Sequence, residues 1–139
     1  MAANIPPAPQ LSGNSTLEVF AHHSSSPQRR LQVVGASQLK LAYTTALVQK
    51  RPNLTGDHLT QYIDMNYSDF KAYWVTTYGW RTMMWAVPNG VDLNDPGETS
   101  TIFETYAGAV LEDARQPGER RSDPSILHGW IRELVFIYG

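Results

Sequence analysis

The side chains here that can move a proton, bind a metal or meet a phosphate are few and scattered. Histidines stand at 22, 23, 58 and 128, and no cysteine is present, so thiolate metal sites, Cys nucleophiles and disulfides are excluded. His22 and His23 invite a metal reading. Neighbouring residues on one helix do not face the same way, so joint ligation is not expected. Glu104 and His58 are the candidate catalytic residues. They would serve as an acid–base pair if the fold joins them. Glu104 also has a plain reading, because Thr101-Ile102-Phe103-Glu104 has the spacing of a capping box. Arg29 and Arg30 open a helical stretch, the unfavourable end for positive charge, and are candidates for phosphate contact. Arg115, Arg120 and Arg121 form a second basic group in a polar loop. The aromatic residues crowd between Tyr62 and Trp85. Trp74, Tyr78, Trp80 and Trp85 are either core or the lining of a pocket or interface, with Met83 and Met84 as adaptable neighbours.

The elements that must position these groups read as helices. The chain has 139 residues, 42% hydrophobic and 17% charged, which suits one globular domain rather than a disordered chain. Residues 1–15, rich in Pro, Ser, Asn and Gly, read as a flexible tail, and 16–139 as a single helical domain. A short helix is expected over Thr16–His23. A long one is expected over Arg29–Lys50, apolar on more than one side and therefore central and buried, ending before Pro52. Thr55 or Asp57 caps a helix through Leu59, Tyr62 and Ile63, and a separate helix is expected over Ser68–Tyr78, broken by Gly79. After the loop PNGVDLNDPGE, helix returns over Thr99–Ala114. A last helix starts at Asp123–Pro124 and carries Ile126, Leu127, Trp130, Ile131, Leu134, Val135 and Tyr138 on one face. No strand pair is expected. The N-terminus lacks a basic n-region and an apolar h-region, and no apolar run reaches membrane-spanning length. A soluble, intracellular protein is the expectation.

Three blocks in order resemble the nuclease domain of the ribonuclease III family. LEVFAHHSS (17–25) resembles the family's apolar helix ending in Thr-His-Arg/Lys-Ser, with His22 and Ser24 matching and Ala21 and His23 departing. Gln28 to Leu39 resembles the family signature N-E-R-L-E-F-L-G-D-A-V-L in Arg30, Leu31, Gly35 and the apolar frame, and KRPNLTGDHLT follows as the family's next pattern does. TIFETYAGAVLEDA resembles D-x-x-E-A-x-I-G-A-x-Y-x-D through Phe103, Glu104, Gly108, Ala109 and Val110. The likeness covers 17–138 and is weak over 65–98. It implies an all-α, ribonuclease III-like fold that is dimeric through the signature helix.

The resemblance also implies Mg²⁺ held by carboxylates, for which oxygen ligands are required. Those acids are largely missing. The signature Glu is Gln32, the signature Asp is Ala36 and the later Asp is Thr101. Only Glu104 keeps its charge, and a further family Glu aligns with His58. Ordinary double-stranded RNA cleavage is therefore not expected, and no metal or other cofactor is expected. Leu31, Val33 and Val34 keep the apolar frame, so a homodimer is. The formal net charge of -2 gives no strong electrostatic pull on nucleic acid. The leading expectation is a non-cleaving homodimer that binds double-stranded RNA weakly, or regulates by pairing with an active ribonuclease III-type partner. Two alternatives stay open. In one, the emptied valley is a small-molecule site for an acid–base isomerase, dehydratase or cyclase. In the other, weak Mg²⁺-dependent nuclease activity remains.

Overall fold

The computed structural model describes residues 4–24, 29–114 and 124–139. Among the described residues there are five α-helices, α1 (Gly13–Phe20), α2 (Arg29–Lys50), α3 (Gly56–Tyr78), α4 (Pro96–Asp113) and α5 (Ser125–Ile137), with one 3₁₀ turn at Trp80–Met83. The fold is all-α. Among the described residues the single β-type contact is an isolated bridge between Ala21 and Trp85. No helix is long and apolar enough to cross a membrane, again among the described residues.

Local chemistry explains the boundaries. Ser12 caps α1 by accepting from the Ser15 N–H, so the helix starts before Thr16, and it ends at Phe20, before the histidines. The stretch from 57 to 78 is one helix, not two, because nothing between Ile63 and Ser68 breaks it. Thr55 caps its start, and Gly79 at φ 68 closes its end through its N–H to the Thr76 and Val75 carbonyls. α4 starts earlier than Thr99. Asp95 accepts from the Gly97 and Glu98 amides and Pro96 fits the first turn, a cap worth about 1 kcal/mol. Thr101 and Glu104 therefore lie inside the helix and form no capping box. Pro124 immediately precedes α5; the expected Asp123 cap lies outside the described residues, as do Gln28, Arg115, Arg120 and Arg121.

The central element is α4, not α2. Ile102, Phe103, Tyr106, Ala107, Gly108, Ala109, Val110 and Leu111 are all buried, because the small residues let neighbours approach from every side. α2 buries one face, through Gly35, Leu39, Ala42, Tyr43, Ala46 and Leu47. Val33, Val34, Leu41 and Val48 on its other face are exposed. Two glycines set how closely α2 and α4 cross. A Cβ added at Gly35 would lie 1.7 Å from the Glu104 carbonyl oxygen, and one at Gly108 would lie 2.0 Å from that of Leu31. The N-terminal residues run irregularly over the core, where Tyr106 donates to the Pro9 carbonyl (2.6 Å) and Tyr78 to that of Pro6 (2.5 Å).

Candidate functional site

The α2–α4 crossing brings together part of the expected valley. Gln32 Nε2 donates to Glu104 Oε1 at 2.9 Å. Lys71, from α3, reaches Glu104 Oε2 at 3.5 Å and stands 4.2 Å from the centre of the Tyr67 ring. Both partners of this ion pair are nearly sealed from solvent, with side-chain exposures of 9% and 14%. Burial pulls the Lys71 ammonium below its usual range, and Glu104 works against that pull. Thr101 and Gln32 line a cavity of about 220 Å³ with Val19, Ala21, His23, Arg29, Met84, Ile102 and Thr105. Among the expected site residues, then, Gln32, Thr101, Glu104 and Arg29 gather at one crossing. Arg30 is exposed.

Two expected members stay away. Ala36 lies on the open side of α2, in a shallow groove with Val33, Ser37, Lys40, Leu41 and Thr44. His58 is exposed in the first turn of α3. It precedes Lys71 by 13 positions on the same helix, which is about 20 Å at 1.5 Å per residue. The His58–Glu104 acid–base pair does not form.

The aromatic residues expected as pocket candidates are mostly core. Trp74 and Trp80 are 1% and 4% exposed. Trp80 stacks on Tyr78 and Tyr106 (ring centres 5.0 and 4.2 Å) and meets Phe103 edge-on at 5.4 Å. Such contacts are packing geometry rather than a binding slot. Trp85 alone of the four is exposed. Its backbone accepts from His22 N–H and donates to the Phe20 carbonyl, and its indole donates to the Leu17 carbonyl at 3.2 Å.

That bridge produces the arrangement the sequence reading rejected. The chain is extended at Ala21, so His22 and His23 are past the helix, and the one-helix argument against them does not apply. Their rings sit 4.1 Å apart, and their Nε2 atoms lie 3.1 and 3.0 Å from Glu98 Oε2. His22 is 2% exposed. Arg81 anchors the start of α4 beside them, with its guanidinium on Thr99 Oγ1 (3.0 Å), Thr76 Oγ1 (2.7 Å) and the Leu93 carbonyl (3.1 Å). Among the described residues, His22, His23 and Glu98 are the one group of three side chains placed to hold a metal ion. The signal for Glu98 was present in the sequence. Asp95-Pro96 starts a helix, which puts Glu98 in its first turn.

No protein-family model, curated protein or solved structure matches this chain.

Proposed function

We propose that this chain is a ribonuclease III-like module that does not cleave RNA and acts as a homodimer in a regulatory or scaffolding role. The state of Glu104 carries the reading. It is the one acid left of the set the resemblance implies, and it is bonded by the Gln32 amide and the Lys71 ammonium. A hard cation such as Mg²⁺ requires several oxygen ligands, with negative charge among them. Here a single carboxylate has its charge balanced by a buried cation, and the positions beside it offer an amide and a hydroxyl.

The outer face of α2 supports the dimer. Val34, Leu41 and Val48 are exposed at intervals of seven, flanked by Val33, and the same helix is packed on its inner face against α4. A two-fold axis near Leu41 would lay this stripe antiparallel on its copy, the Val34 end of one helix against the Val48 end of the other. Covering it would remove from water four apolar side chains on each chain that stand open in the monomer. Arg29 and Arg30, exposed at the start of the same helix, are the groups through which such a dimer would touch double-stranded RNA. With a net charge of -2 that contact is weak and falls steeply with salt.

Light scattering on the purified chain tests the dimer. Wild type is expected at twice the chain mass and Leu41→Glu at the chain mass with unchanged helicity; a monomeric wild type would sink the dimer.

A second reading has a specific observation behind it. The 220 Å³ cavity beside the valley has His23, Arg29, Gln32 and Thr101 on its wall, a polar set that suits a small anion. It no longer involves His58. A loss of small-anion binding in Arg29→Ala, with the dimer intact, is the result that would favour it.

A further inference from the structure

We propose that His22, His23 and Glu98 form a site for a zinc-class divalent cation, clamping the chain that leaves α1 onto the first turn of α4. The site adjoins the Gln32–Glu104 crossing, since His23 shares a cavity wall with Gln32 and Thr101, but it uses neither Gln32 nor Glu104 and does not depend on the function proposed above. Glu98 precedes Glu104 by six positions on α4, which is about 9 Å along the helix.

Three features carry the inference. The first is convergence. Both imidazole Nε2 atoms point at the same carboxylate oxygen, at 3.1 and 3.0 Å, and the three ligand atoms lie within 4.8 Å of one another. With Zn–N and Zn–O bonds near 2.0–2.2 Å, neighbouring ligands of a tetrahedral ion stand about 3.3 Å apart. The two N···O separations need to open by only a few tenths of an ångström to admit the ion, and the two Nε2 atoms stand within 4.8 Å of each other.

The second is the ligand chemistry. Two imidazole nitrogens and one carboxylate suit zinc and its neighbours and disfavour Mg²⁺ or Ca²⁺, which want oxygen. The two rings, centred 4.1 Å apart, each bring Nε2 within hydrogen-bond distance of both Glu98 oxygens. A cation between them would be met by the lone pairs of both Nε2 atoms and by the carboxylate.

The third is the support behind the buried ring. Ser24 stands behind the ring, with its N–H 3.2 Å and its Oγ 2.7 Å from His22 Nδ1. Metal on Nε2 leaves the ring proton on Nδ1, where Ser24 Oγ at 2.7 Å can accept it while the Ser24 N–H gives up its bond to the ring. A metal-bound histidine ordinarily has such an acceptor behind it. Three protein ligands leave a fourth position for water on the side of His23, which is 51% exposed.

The test uses the full chain, stripped of metal with a chelator, and ZnCl₂ as the probe. Calorimetry and competition with a chromophoric chelator should report one zinc per chain, and zinc should raise the melting temperature. His23→Ala and Glu98→Gln should each weaken binding by at least about tenfold. His128→Gln, which removes a histidine elsewhere, should bind as wild type does. Because His23 is half exposed, His23→Ala keeps the fold and decides the matter if Glu98→Gln does not. No zinc bound, or wild-type affinity in His23→Ala, or an equal loss in His128→Gln, would overturn the proposal.

Discussion

The glycine at position 35 gives a prediction in which two ordinary effects have opposite signs. Alanine is favoured over glycine inside a helix by about 1 kcal/mol, so helix propensity alone makes Gly35→Ala stabilising. The crossing with α4 says otherwise. The new Cβ would lie 1.7 Å from the Glu104 carbonyl oxygen and 2.6 Å from the Gly108 nitrogen, and both are backbone atoms of a buried helix that no rotamer change can move. An ordinary contact needs about 3.4 Å, so the helices must part by well over an ångström, and overpacking of this kind costs about 1–3 kcal/mol, occasionally more. With the upper part of that range set against the propensity gain, the net loss is about 2 kcal/mol. In a domain of this size it lowers Tm by about 8 °C. The control is Gly129→Ala in α5, where nothing lies within 4 Å of the added Cβ. There propensity acts alone and should raise Tm by about 4 °C. Thermal unfolding followed by circular dichroism reads both. If Gly35→Ala melts as high as Gly129→Ala, the helices do not cross this closely, and the reasoning that brings Gln32 to Glu104 fails with it.

Other expectations follow from buried phenols. The hydroxyls of Tyr43 and Tyr67 are buried with no hydrogen-bond partner among the described residues. Tyr43→Phe should therefore leave stability unchanged or raise it by up to about 1 kcal/mol in urea unfolding, and a loss of that size would mean that the hydroxyl has a partner. Burial pushes the Tyr106 phenol from 10.0 up to about 12. A pKa raised by folding stabilises fully below the unfolded value and is lost as pH climbs through the folded one. Tyr106 thus costs stability above about pH 10 at up to about 1.4 kcal/mol per pH unit, and Tyr106→Phe should flatten the alkaline limb of the urea midpoint against pH.

Much of the fold was legible because its signals are local. Arg29–Lys50 could be read from its apolar spacing and Pro52, and Gly79 marked the end of α3. The misreadings have physical causes. Thr101 and Glu104 have capping-box spacing, but so do many pairs inside a helix, and the Asp95-Pro96 start sat in a stretch dense with turn residues. α2 looked central because it is apolar on two faces, yet the core takes only one of them. The site was less legible still. His22 and His23 seemed to diverge only on the assumption that α1 runs through them, and a bridge to Trp85 far along the chain is what turns them together. Lys71 gave no sign in sequence that it would meet Glu104, because that contact joins α3 to α4 across the core.

The most direct test of the central claim is a gel: purified chain with long double-stranded RNA, with and without Mg²⁺ or Mn²⁺, at low and moderate salt. With Gln32 and Lys71 on the one remaining acid, the RNA should stay full length in every lane, with at most a shift that salt abolishes. Metal-dependent cleavage that Glu104→Ala removes would contradict the account and make this crossing a working nuclease centre.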